Sequence, residues 1–304
     1  MTTFPKRIEH VKAPPIKSQG IKTKLVPFIS ENIQWSGKGK WIEPFMGSGC
    51  VVLNLQPQKA LISDTNHHLI NIYKAIQSKD LTPSKLKLFL EKEGAILQDK
   101  GEEYYYEVRT RFNEYHSPYD FLFLNRSCFN GVIRFNSKGK FNVPFCKKPE
   151  RFRQAYITKI CNQIAWADAV IDGKDWEFRA SSWEDVLKDN IQSNDFVYLD
   201  PPYIGRHADY FNTWTEEVAK SLDDTIKKLP CSFAYSMWLR NDYRENSNLI
   251  DSFKDFEIKT SSHFYHVGSS EKLRNSMEEA LVVNFTEDLA PINIESKKTQ
   301  IALF

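Results

Sequence analysis

Trp41-Ile42-Glu43-Pro44-Phe45-Met46-Gly47-Ser48-Gly49 runs straight into Cys50-Val51-Val52-Leu53-Asn54-Leu55, and Ala60-Leu61-Ile62-Ser63-Asp64 follows after a short break. In order, these residues read as a short apolar strand, a glycine turn, the start of a buried helix, and a second strand ending in an acid. From His67 to Ser78 the apolar residues Leu69, Ile70, Ile72, Tyr73 and Ile76 recur at helical spacing. Strand, helix, strand, helix in this order opens a doubly wound parallel sheet.

Upstream, the chain is polar and irregular to about Pro15, and Lys17 to Asn32 reads as a loop leading into a helix. Downstream the pattern breaks. Residues 77–166 carry helical, aromatic-rich stretches and then a basic segment. Within that segment Asn136-Ser137-Lys138-Gly139-Lys140 separates the runs Val132–Phe135 and Phe141–Phe145, the signature of a β-hairpin with a glycine-containing loop. Strand-like runs return at Phe196–Leu199, Cys231–Tyr235, Phe256–Thr260 and Ala280–Phe285. The expected organisation is therefore an α/β domain over 1–76 and 167–286, interrupted by an insert over 77–166. A loosely attached tail over 287–304 completes the chain.

The 304 residues carry 41 Lys plus Arg and 39 Asp plus Glu, a formal charge of +2. That mean argues against a histone-like polycation. It conceals an uneven distribution. Phe121 to Ile160 holds nine basic residues and one acid, a net +8, which leaves −6 on the rest. A basic segment in an acidic body is the footprint of a local polyanion site. No apolar run approaches the roughly 20 residues of a membrane span. Met1–Arg7 carries no apolar stretch of the kind an export signal needs. The five cysteines are widely spaced with no CxxC, so reduced thiols are expected rather than a zinc ribbon or disulfides.

Two motifs carry chemistry. Phe45-Met46-Gly47-Ser48-Gly49 lies between a strand and a helix, where glycines permit a tight turn and close approach of a ligand to the backbone. The third glycine of a dinucleotide fingerprint would fall at Val52 and is missing, so a nucleoside cofactor without a pyrophosphate fits better. Asp64, 17 residues after Gly47, stands where an acid accepts hydrogen bonds from ribose hydroxyls. The second motif, Asp200-Pro201-Pro202-Tyr203, follows the strand Phe196–Leu199. Two prolines fix φ and remove two backbone donors. What remains is an acceptor array, the Asp200 carboxylate and the Pro201 carbonyl, beside the aromatic face of Tyr203. Such a set suits a planar group with an exocyclic amine.

With these residues the chain resembles the Dam-type family of DNA adenine-N6 methyltransferases. The resemblance covers most of residues 16 to 285. Four stretches carry it: Lys17-Ser18-Gln19-Gly20-Ile21-Lys22; Phe45–Gly49 with Asp64-Thr65-Asn66; Leu124-Asn125-Arg126 through Phe129-Asn130-Gly131, Arg134-Phe135-Asn136 and Phe141-Asn142-Val143-Pro144-Phe145; and Asp200–Tyr203. It implies a Rossmann-like methyltransferase sheet with an inserted, mostly helical DNA-recognition domain bearing a β-hairpin. It implies S-adenosylmethionine as cofactor and no metal.

Carried over by position, Ser18, Gly20 and Lys22 match the cofactor-binding segment, with Ser18 where relatives commonly have an aromatic. Phe45, Gly47 and Gly49 would shape the methionine side of the pocket and Asp64 would take the ribose. Ser182 and Trp183 would face the cofactor adenine, and Asp200 would lie near the cofactor amino group. Asp200, Pro201, Pro202 and Tyr203 would form the catalytic motif that holds the target adenine. On the DNA side stand Lys17, Arg126, Phe129, Asn130, Arg134, Asn136, Lys138, Lys140 and Pro144. Of these, Arg134 occupies the position of a guanine reader and Phe129 and Asn130 the positions beside the flipped base. The expected partner is double-stranded DNA, with a paired restriction endonuclease, a monomeric state and a bacterial or phage-infected cytoplasm. Transfer to cytosine N4 or to an RNA base, and a catalytically silent DNA-binding regulator, are the alternatives.

Overall fold

The computed structural model describes residues 4, 7–203, 214–241, 244–264 and 276–285. The expected tail, 287–304, lies outside them. One mixed sheet organises the chain. Its strands are β1 (Trp41–Glu43), β2 (Lys59–Asp64), β3 (Asp175–Ala180), β4 (Phe196–Leu199), β5 (Ser232–Asn241), β6 (Arg244–Glu245), β7 (Glu257–Phe264) and β8 (Ser276–Val283). The order is β3-β2-β1-β4-β5-β8-β7, with β6 pairing β5 off this path. The strands from β3 to β5 run parallel, and β8 is antiparallel to both β5 and β7. This is the doubly wound α/β sheet expected.

Strand residues alternate between two cores because both faces are covered. Trp41, Ala60, Ile62, Phe196 and Tyr198 point into one core. Ile42, Leu61, Val197, Leu199 and Phe233 point into the other. The first face is covered by α1 (Val26–Glu31), α2 (Cys50–Leu55), α3 (His67–Gln77) and apolar side chains from residues 81–171. The second is covered by α8 (Trp183–Leu187), α9 (Glu216–Ile226) and α10 (Ser247–Ser252). The chain winds outward from β1 through β2 to β3, then returns to place β4 on the other side of β1. The loops after β1 and β4 diverge there, and in open α/β sheets ligands bind at that crevice.

Between α3 and β3 the chain forms α4 (Pro83–Lys100), α5 (Glu102–Tyr115), α6 (Pro118–Ser127) and α7 (Gln154–Ile171). Its buried Leu86, Leu90, Tyr105, Val108 and Phe112 join the core of the first sheet face. α7 runs through residue 166, carrying the chain back toward the sheet without a break. All five cysteines are free thiols.

Two details differ from expectation. β3 is an additional strand; only Trp176 and Phe178 are inward and apolar, so its pattern is edge-like and short. The hairpin forms as a turn rather than as two strands. Phe135 and Phe141 make one antiparallel bridge, and Asn142 N–H donates to Arg134 O at 3.2 Å. Beyond that the second arm leaves its partner. Phe145 bridges Cys128, and Phe129 N–H donates to the Pro144 carbonyl at 2.9 Å. The 3-10 turn Phe129–Gly131 therefore captures the backbone groups that a longer hairpin would have used.

Candidate active site

The parallel register brings the tips of β1, β2 and β3 together. Gly47 (φ 53°) and Gly49 (φ 72°) are left-handed, a conformation that Cβ-bearing residues adopt only at a cost. Gly49 has a second constraint, since a Cβ there would lie 2.9 Å from the Tyr73 hydroxyl. A Cβ on Gly47 would meet nothing within 4 Å, so the turn is open to a ligand at that point. Asp64 braces the turn from β2. Its Oδ2 accepts from Gly47 N–H at 2.9 Å and its Oδ1 from Asn66 N–H at 2.8 Å. Burial pushes this carboxyl up to about 6, against the pull of the Asn66 and Gly47 amides. Ser63 Oγ donates to the Ser181 carbonyl at 3.0 Å, which ties in the end of β3. Ser182 caps α8 by accepting from Asp185 N–H at 3.3 Å, and Trp183 is buried against the second core. Phe45 is half-buried and packs edge-on against Trp214. These residues fit a nucleoside cofactor: an open glycine turn, a carboxylate with acceptor capacity left, and aromatic walls.

The tip of β4 is built differently. Asp200 is half-buried, and Lys22 Nζ lies 3.1 Å from its Oδ1. Lys22 is itself buried and reaches in from the N-terminal segment. Its Nζ donates to the Tyr203 hydroxyl at 2.5 Å and lies over the Tyr203 ring, 5.0 Å from the centroid. The Tyr203 hydroxyl donates onward to Glu279 Oε2 at 2.8 Å, and Lys22 Nζ is 3.7 Å from the same oxygen. Glu279 is 1% exposed, on β8. One cation thus faces two carboxylates and a phenol. Burial pushes the Asp200 carboxyl up to about 6; the Lys22 ammonium opposes that shift and Glu279 adds to it. Burial would lower Lys22, but Asp200, Tyr203 and Glu279 together hold its pKa well above the ordinary lysine value. Glu43, at the end of β1, is also buried and is pushed up to about 8, with only a Trp41 Nε1–H bond at 2.9 Å opposing.

Glu279 and Glu43 are absent from the set expected from the motifs. Each is an acid beside or within an apolar strand run, and that incongruity is the only local signal they leave. Lys22 meets Asp200 and Tyr203 rather than standing alone on the cofactor segment. Gly20 (φ 72°) and Ser18 lie on the loop that delivers it.

The DNA-side residues divide. Phe129 is 54% exposed, a large apolar side chain held outward beside Asn130, whose φ is 53°. Lys17 is exposed and passes over Gly131, where an added Cβ would meet its side chain at 2.4 Å. Asn125 fixes the Lys17 backbone through bonds of 2.9 and 2.7 Å. Arg134 is half-buried, its Nε on Asn142 Oδ1 at 2.7 Å. Lys138, Lys140 and Pro144 are exposed. The Asn136 side chain builds the turn, its Oδ1 accepting from the N–H groups of Lys138 and Lys140, each at 3.0 Å. Arg126 is a correction. It is 5% exposed and its guanidinium donates to the Pro15 carbonyl and to Gln163 Oε1. It is a strut between the N-terminal segment and α7, and its guanidinium is not presented at the surface as the DNA-side expectation requires.

Residues 18–267 match the family model of D12 class N6 adenine-specific DNA methyltransferases. The chain is 28% identical over 289 residues to the type II methyltransferase M1.LlaDCHI of Lactococcus lactis subsp. cremoris, covering 90% of this chain and 95% of that one. It is 31% identical over 208 residues to the type II methyltransferase M.MjaIII of Methanocaldococcus jannaschii, covering 62% and 68%. It is 30% identical over 168 residues to the DNA adenine methylase of Serratia marcescens, covering 53% and 57%. An acceptor array beside an open glycine turn is what such chemistry requires, and the chain belongs to the D12 class N6 adenine-specific DNA methyltransferases, enzymes that use S-adenosylmethionine.

Proposed function

We propose that this enzyme methylates adenine N6 within a short specific duplex sequence, on a base flipped into the crevice between the tips of β1 and β4. The observation that carries this is the Asp200-Pro201-Pro202-Tyr203 array at the switch point, beside the glycine turn. A base inside a duplex cannot reach a crevice of this kind, so it must leave the stack. The adenine amine is a weak nucleophile because its lone pair is delocalised into the ring. Asp200 and the Pro201 carbonyl accept its two hydrogens, localise the lone pair and aim it. Tyr203, held at its hydroxyl by Lys22 and Glu279, offers its ring to the base. The bound cofactor supplies a methyl group on a sulfonium, and the leaving group departs neutral, so no metal is called for. Catalysis is then positioning and electrostatics.

The insert, 77–166, is the proposed reading element. Phe129 is placed to fill the gap left by the flipped base, Arg134 to read a guanine edge, and Lys17, Lys138 and Lys140 to meet phosphates. Asp64 takes the cofactor ribose, and Trp183 lies toward its adenine. The enzyme acts as a monomer, and a restriction endonuclease of the same site is its functional partner. That pairing is in keeping with the type II relatives.

The test is to incubate the protein with labelled S-adenosylmethionine and either mixed-sequence duplex DNA or RNA, digest each, and identify the labelled nucleoside. N6-methyl-2′-deoxyadenosine is expected. Label on cytosine N4, or on RNA alone, overturns the reading, and DNA binding without any product marks a silent regulator. Arg134→Ala should relax the choice of one base by about 1–3 kcal/mol. Equal weakening on all sequences would make Arg134 a phosphate contact only.

A further inference from the structure

Away from the crevice, three histidines from two distant stretches meet. His67 and His68 open α3, directly after its cap Asn66, and His116 ends α5 with a φ of 56°. One ring nitrogen from each lies within 4.8 Å of the other two. His68 is buried, His67 half-buried and His116 exposed. The His68 ring is sandwiched between those of His116 and Phe135, each centroid 4.9 Å away and nearly parallel. Phe112 and Phe121 complete an apolar wall.

We propose that His67, His68 and His116 bind one divalent transition-metal ion of the zinc class, with solvent water at the fourth position on the side of His116. The donor set selects the class. Three imidazoles suit Zn²⁺, Co²⁺, Ni²⁺ or Cu²⁺, and among the described residues no carboxylate joins the group to suit Mg²⁺ or Ca²⁺. Parallel stacked rings direct their lone pairs into separate planes, so His116 must rotate out of its stack. It is the exposed member and the one able to do so. The ion would clamp the start of α3, on the catalytic sheet, to the end of α5, in the insert. It would lie one ring contact from Phe135, the neighbour in the chain of Arg134. It has no part in methyl transfer and would act by holding the reading element to the sheet.

The experiment uses the untagged full-length protein, stripped with chelator and titrated with Co²⁺ followed by Zn²⁺. One equivalent of Co²⁺ should give a visible d–d absorption with no thiolate charge-transfer band, and Zn²⁺ should displace it. Zn²⁺ should also raise Tm, because it binds the folded state, and Mg²⁺ should not. His116→Ala, at an exposed position, should fold normally and weaken Co²⁺ binding by about 10-fold or more. His67→Ala should do the same. Unchanged affinity in both variants, a thiolate band, or no saturable binding below about 1 mM would overturn the proposal.

Discussion

Asp64 ends β2 and Asp200 directly follows β4, the two strands that flank β1, and burial pushes both carboxyls up to about 6. They are held in opposite ways. Asp64 is fixed by backbone N–H groups of Gly47 and Asn66, 17 and 2 residues away. Asp200 faces the side chain of Lys22, which bonds Tyr203 across 181 residues, and Tyr203 in turn bonds Glu279 across 76. The first arrangement is a rigid local cradle suited to binding. The second is a network of charges with one cation among two acids, and its balance can change when an amine arrives. The difference separates affinity from turnover: β2 should govern how tightly the cofactor binds, and β4 how fast the methyl group moves.

The largest effect should come from Asp200→Ala. Transfer should fall by on the order of 10³-fold in kcat, with DNA affinity largely retained in a gel-shift titration. Comparable turnover would break the comparison at its catalytic end. Asp64→Ala should act on the other parameter. Losing charge-assisted bonds worth about 1.5–3 kcal/mol should raise the Kd for S-adenosylmethionine by calorimetry and leave kcat at saturation much less affected. A kcat loss as large as that of Asp200→Ala would remove the distinction.

Glu279→Gln tests the network more finely, since the amide can still accept from Tyr203 and only the charge is lost. A fall in kcat of about 5-fold, close to 1 kcal/mol, is expected. The pH profile is the sharper readout. Activity needs the ionised Asp200 carboxylate and should fall as pH drops through about 6. Glu279 raises Asp200, so its neutralisation should move that acid limb to lower pH. An unmoved limb would show that Glu279 only fills space.

The last effect is on stability rather than on activity. Glu43 has an ordinary pKa of 4.5 and one of about 8 in the fold, so the folded state binds its proton more tightly. Its contribution is fully present below about pH 4.5 and is lost as pH rises to about 8. Glu43→Gln, which cannot ionise, should lose less unfolding free energy across that window. The gap should reach about 1–3 kcal/mol in denaturant titrations at the two ends. Parallel curves would place the ionised form in solvent contact.

The charge pattern on the insert follows a similar division. The basic segment is plain in the linear sequence, yet its members have different fates. Lys138 and Lys140 lie on an exposed turn, while Arg126, in the same run of charge, is buried and bonded to Pro15 and Gln163. Helical periodicity around residues 121–127 does not identify it, because α6 is buried on every side. The hairpin shows the same limit. Its turn is chain-local and forms, but its second arm pairs with 127–129, a choice made by tertiary packing.

The order of strands and helices at the start of the sheet, the glycine turn, Asp64 beside it and the acceptor motif after β4 are all legible in the linear chain. Each is specified by backbone conformation or hydrogen bonds among near neighbours, and composition and spacing report such interactions directly. The meeting of Lys22 and Glu279 at Tyr203, the burial of Arg126 as a strut, the place of β3 at the sheet edge and the convergence of His67, His68 and His116 are settled by packing in three dimensions. Those outcomes depend on burying charge and ring surface between segments far apart in the chain. The energy of such burial depends on where the sheet and insert place each side chain, not on which residues stand beside it in the sequence.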